Sequence, residues 1–197
     1  MIRLLVLIFV ALLGACSAPA PFNASEVPKL DYGHGVELRD TEGKVHRIEE
    51  FRGRVTLLFF GFTHCPDICP TTLATLKRAV AGLGDFKPFA EHGQVLFVSL
   101  DPERDTPEKL AAYVAYFDPR FLAATGSEAA LDALSGPLGV IRAKVPGADG
   151  EYTLDHTGSI FLVDPALRVM GLLGMPHEAG KIEAAVRAIT HFAAAHP

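Results

Sequence analysis

The stretch Val55–Leu73, VTLLFFGFTHCPDICPTTL, joins a continuous apolar run to a pair of cysteines that are each followed by proline. The run VTLLFF is apolar apart from one threonine, which is typical of a strand buried on both faces of a sheet. Downstream, PTTLATLKRAVAGL at 70–83 places Leu73, Leu76 and Val80 on one face of a helix. The sequence therefore predicts a buried strand, a short cysteine-bearing loop and a helix.

The two cysteines of this loop, Cys65 and Cys69, lie one helical turn apart, so their sulfur atoms are expected to face the same way. Unpaired N–H groups and the macrodipole at a helix N-terminus favour a thiolate, which both a metal ligand and a redox nucleophile require. Pro66 and Pro70 stiffen the segment, and Asp67 is expected to cap the helix. From these residues alone, the pair can be metal ligands, a redox couple or two buried packing residues.

The rest of the chain alternates between strand-like and helix-like segments. The predicted strands are a hairpin or irregular pair over 35–51, a second buried strand over 94–100, and two strands over 159–164 and 168–174, with a further short apolar segment, FLAAT, at 121–125. The predicted helices cover 105–117, 127–138 and 177–195, with Thr106 as the cap of the first and Pro107 at its first position. This order predicts an α/β domain with a thioredoxin-like, peroxiredoxin-related fold, in which helices cover both faces of a central mixed sheet.

The N-terminus, MIRLLVLIFVALLGAC, reads as an export signal. One basic residue, Arg3, precedes the apolar run Leu4–Leu13, which is only about half the length that a membrane-spanning helix needs. A short membrane anchor is the alternative. The end of the run, LGAC at 13–16, resembles the bacterial lipobox, in which the chain is cut before a cysteine that is then lipidated. Cys16 is therefore the predicted site of lipidation.

The predicted organisation has three parts: a lipoprotein signal peptide over 1–15, a lipid-anchored tether over 16–32 and one domain over 33–197. The tether is polar and rich in proline, as a linker should be. The mature protein is expected to sit on the bacterial cell membrane, with its domain facing the periplasm or the cell exterior. In that oxidising compartment, two unlipidated cysteines either form a disulfide or are held reduced for a purpose.

Net charge argues against one class of partner. The chain carries 18 basic and 23 acidic residues, a formal charge of −5, and the predicted cleavage removes only Arg3 and makes it −6. Because no run of Lys or Arg is present, nucleic-acid binding has no electrostatic support.

Three motifs resemble the SCO/SenC family of thioredoxin-like, copper-handling proteins: GFTHCPDICP at 61–70, SLDPERDTPEKL at 99–110 and LDHTGSIFLVDP at 154–165. The resemblance implies that copper, as Cu(I), Cu(II) or both, is bound by Cys65, Cys69 and the histidine of the third motif, His156. It also implies delivery of copper to the binuclear copper centre of cytochrome c oxidase, in its copper-bearing subunit, with another periplasmic copper carrier as a further partner. Some bacterial members of the family look more like thiol-disulfide reductases.

His156 separates these hypotheses. Thioredoxins carry a cis-proline just before the strand that corresponds to 159–164, and here His156 falls within two residues of that position. Two thiolates and an imidazole form a soft, three-coordinate set that suits Cu(I), and Cu(II) can add a fourth ligand. Asp155 is a candidate acceptor for the imidazole N–H. Zinc is disfavoured because a structural site normally has four protein ligands.

The remaining candidates are assigned ordinary structural positions. Met170 is expected in the core, Met175 and His177 in the loop before the last helix, and His64 pointing away from the cysteines. Five other histidines are expected to be solvated: His34, His46, His92, His191 and His196. The segment DPERDTPE at 101–108 is interpreted as a polar loop and a helix start, without a catalytic role.

Three functions follow from the sequence, in decreasing order of support. The first is a copper carrier, and the second is a thiol-disulfide reductase in which Cys65 and Cys69 are the catalytic residues. A peroxidase of the peroxiredoxin type is third. That family has a threonine three residues before its reactive cysteine and a proline further upstream, whereas Thr63 lies two residues before Cys65 and Leu58 replaces the proline.

Overall fold

The computed structural model describes residues 33–195. The predicted signal peptide, Cys16, the tether and His196 lie outside the described residues. Between residues 33 and 195, the structure contains no helix with the length and apolar character that crossing a bilayer requires.

The described chain forms strands and helices in the alternating order that the sequence predicts. The strands are β1 (Glu37–Asp40), β2 (Val45–Arg47), β3 (Val55–Gly61), β4 (Gly93–Ser99), β5 (Leu122–Thr125), β6 (Arg142–Pro146), β7 (Tyr152–His156), β8 (Ile160–Val163) and β9 (Val169–Leu173). The α-helices are α1 (Ile68–Gly82), α2 (Lys87–His92), α3 (Pro107–Phe117), α4 (Glu128–Ser135) and α5 (Ala179–Ala195). Short 3-10 turns lie at Ile48–Phe51, Gly136–Leu138 and Ala148–Gly150.

Seven of these strands form one mixed sheet in the order β2-β1-β5-β4-β3-β8-β9. Strands β3, β4 and β5 run parallel, whereas β8 pairs antiparallel with β3 and β9 antiparallel with β8. Strands β6 and β7 form a separate antiparallel pair outside this sheet. Strand β3 therefore lies inside the sheet, and its C-terminal end leads directly into the cysteine loop.

Strand β3 is buried at every position because each face of the sheet has its own core. Successive side chains of a strand point to opposite faces. Leu57 and Phe59 pack with α1, α3 and α5, while Leu58 and Phe60 pack with α4 and with Leu154 of β7. The predicted mixed sheet with helices on both faces is thus confirmed, and it explains the continuous apolar run.

Most of the predicted elements are present with small shifts at their ends. The hairpin over 35–51 is formed by β1 and β2, and helix α3 begins at Pro107 with the Thr106 hydroxyl accepting a hydrogen bond from the Lys109 N–H at 3.4 Å. The last helix begins at Ala179, two residues later than predicted. Helix α2 and the β6–β7 hairpin were not predicted from the sequence.

Candidate metal centre

Three side chains from separate segments meet at the C-terminal end of β3. Cys65 lies in the loop between β3 and α1, Cys69 in the first turn of α1, and His156 at the end of β7. Their sulfur and nitrogen atoms all lie within 4.8 Å of one another, and Cys69 Sγ is 3.6 Å from His156 Nε2. The structure therefore brings together the three residues that the sequence analysis selected, although His156 is 87 residues from Cys69 in the chain.

The two cysteines are free thiols with very different environments. Cys65 is half-buried and Cys69 fully buried. A hydrogen bond from the Cys69 thiol outweighs partial burial and lowers the pKa of Cys65 to about 4. The same hydrogen bond, together with burial, raises the pKa of Cys69. These opposite shifts describe one interaction, because the pair holds a single proton at neutral pH and Cys69 carries it.

The start of α1 explains why Cys65 receives a backbone hydrogen bond. Asp67 occupies the N-cap position, but its side chain makes no capping hydrogen bond, so this prediction was wrong. An N-cap side chain normally accepts from the N–H groups two or three residues later. Here the N–H of Cys69 donates to Cys65 Sγ at 3.4 Å, and Pro70 has no N–H. The Asp67 carboxylate instead accepts from the Thr71 hydroxyl at 3.4 Å.

Gly61, the last residue of β3, makes room for the buried sulfur. A Cβ atom added there would lie 2.7 Å from Cys69 Sγ and 2.7 Å from the Phe97 ring. Both distances are far below normal contact, and both neighbours are enclosed by the core. The close packing of strand and helix at the cysteines therefore depends on glycine at this position.

The imidazole of His156 is oriented by its own neighbour. Its Nδ1 lies 3.1 Å from the carbonyl oxygen of Thr157, which can only accept, so Nδ1 carries the proton and Nε2 presents its lone pair to the cysteines. The ring packs edge-on against Phe62, with centroids 5.7 Å apart. Asp155 was the predicted acceptor, but its side chain is exposed, since neighbouring residues of a strand point to opposite faces.

Tyr113 of α3 was not selected from the sequence, yet it belongs to the surroundings of the cysteines. Its hydroxyl is buried and has no hydrogen-bond partner among the described residues. Burial, and then the electrostatic effect of the cysteine pair, raises the pKa of this phenol. A tyrosine spaced to lie on the buried face of α3 is an ordinary core signal, so the sequence offered no means of finding it.

Asp105 was also missed, because the segment 101–108 reads as a solvated loop. Its carboxylate is buried and accepts hydrogen bonds from the Thr63 N–H at 2.9 Å, the Thr63 hydroxyl at 2.6 Å and the Ser99 hydroxyl at 2.5 Å. With Asp101 and His64, Asp105 forms a second group of closely spaced donors, in which His64 Nδ1 lies 3.6 Å from Asp105. The Asp105 carboxylate thus holds the loop that leads to Cys65.

The other candidates lie largely where they were expected. Met170 is buried, Met175 is exposed in the loop before α5, and His177 in that loop donates to the Gly158 carbonyl at 2.9 Å. His46 is the exception among the histidines predicted to be solvated. Its ring is mostly buried between Glu50 and Asp40, at 2.9 and 2.7 Å.

Comparison with known proteins gives the family. The SCO1/SenC family model matches residues 25–191, a span that includes the cysteine loop and His156. The chain belongs to the SCO1/SenC family.

Solved structures of SCO proteins have the same fold. ScoI of Bradyrhizobium japonicum, solved with copper bound, is 34% identical, with a TM-score of 0.70 over 78% of this chain and 96% of that one. BsSco, a member of the Sco family of cytochrome c oxidase assembly proteins in which a disulfide switch was identified, is 26% identical, with a TM-score of 0.61 over 78% and 90%. These similarities confirm the predicted thioredoxin-like fold of the SCO family.

Among curated proteins, the mitochondrial SCO2 homolog of Bos taurus is 42% identical over 129 residues, which is 65% of this chain and 48% of the bovine protein. The chain thus spans about half the length of that relative.

Proposed function

We propose that this SCO/SenC protein binds one copper ion through Cys65, Cys69 and His156 and carries it to another protein. The observation that supports the proposal most directly is the grouping of two sulfur atoms and one imidazole nitrogen within 4.8 Å. Copper is the cargo in this proposal, and the protein supplies the ligands and their arrangement.

The chemistry of the donors fits copper better than it fits a hard cation. Two thiolates and one imidazole are soft ligands that favour Cu(I), and a three-ligand set leaves Cu(II) room for a fourth. Bonds from sulfur and nitrogen to a first-row ion are about 2.0–2.3 Å long, so donors of one ion lie at most about 4.5 Å apart. The three atoms therefore need only a small closure to share an ion.

The two sulfur atoms are prepared for different steps. Cys65 is already a thiolate at neutral pH and is partly exposed, so it is suited to meet an incoming ion or a competing ligand first. Cys69 is buried and must release its proton when it coordinates the ion. Transfer to a partner then proceeds by ligand exchange that begins at Cys65.

The proposed recipient is the copper-bearing subunit of cytochrome c oxidase, because BsSco is described as a member of a family of assembly proteins for that oxidase. Another periplasmic copper carrier is the proposed donor. Lipidation at Cys16 is proposed to hold the protein on the outer face of the membrane, where such a recipient is accessible.

Thiol-disulfide reduction is the second candidate, favoured by the two free thiols and by the disulfide switch identified in BsSco. The Cys65 thiolate would attack a partner disulfide and form a mixed disulfide, with one partner thiolate leaving. The Cys69 thiol would then lose its proton, displace the second partner sulfur and close a Cys65–Cys69 disulfide. The partner gains the two electrons that the cysteine pair loses.

Copper binding by single-site variants tests the first function. Cu(I) affinity is measured anaerobically against a competing chelator, and thiolate-to-copper absorption is recorded for the Cu(II) form. We expect Cys65→Ser and Cys69→Ser to abolish tight binding and His156→Ala to lower affinity at least about 100-fold, since even residues that only orient ligands change it 10- to 100-fold.

The matched control is His64→Ala, which removes the histidine next to Cys65 that faces Asp105 and is expected to leave the affinity within about threefold. Unchanged affinity in His156→Ala would overturn the three-ligand site. Catalytic turnover of a partner disulfide that survives His156→Ala would favour the reductase.

A further inference from the structure

The β6–β7 hairpin, which carries His156, has no backbone pairing with the seven-stranded sheet among the described residues. Strand β6 is exposed along most of its length. Main-chain hydrogen bonds therefore fix β6 to β7 but do not fix the pair to the rest of the molecule. Apart from the short chain connection from His156 into β8, side-chain contacts set the distance between His156 and the cysteines.

Arg104, in the segment Asp101–Asp105 that follows β4, makes two of these contacts, both to Tyr152 at the start of β7. Its Nη1 donates to the Tyr152 carbonyl at 2.7 Å, its Nε donates to Asp101 at 2.6 Å, and its guanidinium lies 3.6 Å from the centre of the Tyr152 ring. The Tyr152 hydroxyl in turn donates to Asp101 at 2.6 Å. Asp101, Arg104 and Tyr152 thus form a closed set of hydrogen bonds and a cation–π contact.

Tyr152 and Phe62 each connect the contacts of Arg104 to His156. Tyr152 and His156 are the first and last residues of β7, so they project from the same face of the strand. Phe62 provides the second connection, because its ring contacts His156 at 5.7 Å and lies 6.0 Å from the Arg104 guanidinium.

The next residue in the same segment, Asp105, holds the cysteine half of the centre through its three hydrogen bonds to Thr63 and Ser99. The segment that follows β4 therefore contacts both halves. Asp105 fixes the loop before Cys65, and Arg104 fixes the strand that ends in His156.

We propose that Arg104 is a positioning residue that holds His156 at bonding distance from the cysteine pair. This inference rests on the proposed three-ligand site. Arginine is specifically required, because a lysine would keep the charge and lose both the planar fork that donates to Tyr152 and Asp101 together and the stacking on the ring.

A double-mutant cycle tests the proposal. Arg104→Met keeps the length of the side chain and removes its donors, and we expect it to lower Cu(I) affinity about 10- to 100-fold in the otherwise unchanged protein. In the His156→Ala background the same substitution should lower affinity no further, because its effect acts through His156. Equal losses of affinity in both backgrounds would overturn the proposal.

A second readout is specific for the imidazole. In the Cu(II) form of Arg104→Met, nitrogen hyperfine coupling in the electron paramagnetic resonance spectrum should weaken while thiolate-to-copper absorption remains. Arg104→Lys should show a smaller change in the same direction, which keeps the test available if Arg104→Met does not fold. Full nitrogen coupling in either folded variant would contradict the proposal.

Arg168→Met is the matched control, since Arg168 pairs with buried Asp164 at 2.6 Å, the distance at which Arg104 pairs with buried Asp101. It should leave both readouts unchanged. The three-ligand site and the positioning role of Arg104 would be contradicted by different results. If His156→Ala leaves copper affinity unchanged, the three-ligand site is wrong. If His156→Ala lowers affinity but Arg104→Met does not, only the role of Arg104 is wrong.

Discussion

The cysteine half and the histidine half of the candidate metal centre are held by different kinds of structure. The cysteines follow a strand that has a neighbour on each side and is buried along its whole length. The histidine ends a two-stranded hairpin that is largely exposed and is attached by side chains. The sheet therefore fixes the position of the cysteines, whereas a few polar and aromatic side-chain contacts position the histidine.

This difference predicts unequal local stability. Regions with many buried apolar contacts open only when the whole domain unfolds, while exposed elements with few such contacts open alone. Leu154 is the one residue of β7 that is buried in the core, so the hairpin has a small apolar anchor.

Hydrogen exchange tests the comparison directly, and we expect its largest effect there. Backbone amides of Leu57–Phe60 in β3 should exchange at least about 1,000-fold more slowly than those of Thr153–Asp155 in β7, because opening the hairpin alone requires much less free energy than global unfolding. The measurement is residue-resolved exchange on the metal-free protein. Equal protection in the two strands would mean that the hairpin is part of the same cooperative unit.

The second prediction concerns the cysteine half without metal. Because the pKa of Cys65 is lowered to about 4, its thiolate is present at pH 6 and is lost only as the pH falls through about 4. An ordinary cysteine loses nearly 100-fold in thiolate between pH 8 and pH 6. We expect the rate of alkylation at Cys65 to stay nearly constant over that range, as measured by mass spectrometry after timed quenching.

Cys69 provides the internal control for this measurement, since it is buried and its pKa is raised. It should be modified far more slowly than Cys65 at every pH in the range. A tenfold or greater fall in the alkylation rate of Cys65 from pH 8 to pH 6 would show that Cys65 is not a thiolate in the metal-free protein.

The third prediction concerns the free energy of unfolding and tests how tightly the cysteine half is packed. Gly61→Ala puts a methyl group against Cys69 Sγ and the Phe97 ring, and we expect it to destabilise the domain by about 1–3 kcal/mol in a chemical denaturation. Gly180→Ala in α5 is the control. A Cβ there meets nothing within 4 Å, so alanine should be neutral or stabilise the helix by up to about 1 kcal/mol. Equal stability of the two variants would contradict the close packing at Cys69.

The smallest effect is expected in the β1–β2 hairpin, which β5 and β4 separate from β3 in the sheet. Hydrogen bonds to Glu50 and Asp40 raise the pKa of His46 above its ordinary value of 6.5. Stability from this contact is fully present below pH 6.5 and is lost as the pH rises through the raised pKa. Thermal unfolding at several pH values should show a small decline over this range that His46→Gln removes. A decline that persists in His46→Gln would assign it to another group.

The parts of the molecule that could be predicted from sequence are those in which a local pattern and burial agree. The apolar runs of β3 and β4 and the Thr106–Pro107 start of α3 are of this kind. The β6–β7 hairpin was missed because its exposed strands have no strong apolar alternation, although PGADG at 146–150 is a turn signal between them.

The site was predicted unevenly for a related reason. Cys65, Cys69 and His156 have side chains with distinctive chemistry, so motif and fold position were enough to select them. The roles of Arg104 and Asp105 depend on contacts with residues 48 and 42 positions away, Tyr152 and Thr63. Charged residues in a polar segment carry no local sign of such contacts, and burial of the Asp105 carboxylate is visible only in the structure.

The start of α1 connects the chemistry of one sulfur atom to the backbone. Pro70 has no N–H, and the Cys69 N–H donates to Cys65 Sγ. The anionic sulfur of Cys65 therefore caps the N-terminus of α1, an interaction that a carboxylate usually makes. Conversion of that sulfur to a neutral disulfide removes the negative charge from the end of the helix dipole and weakens the hydrogen bond to the Cys69 amide. The first turn of α1 is therefore expected to change its hydrogen bonding and its local charge when Cys65 is oxidised.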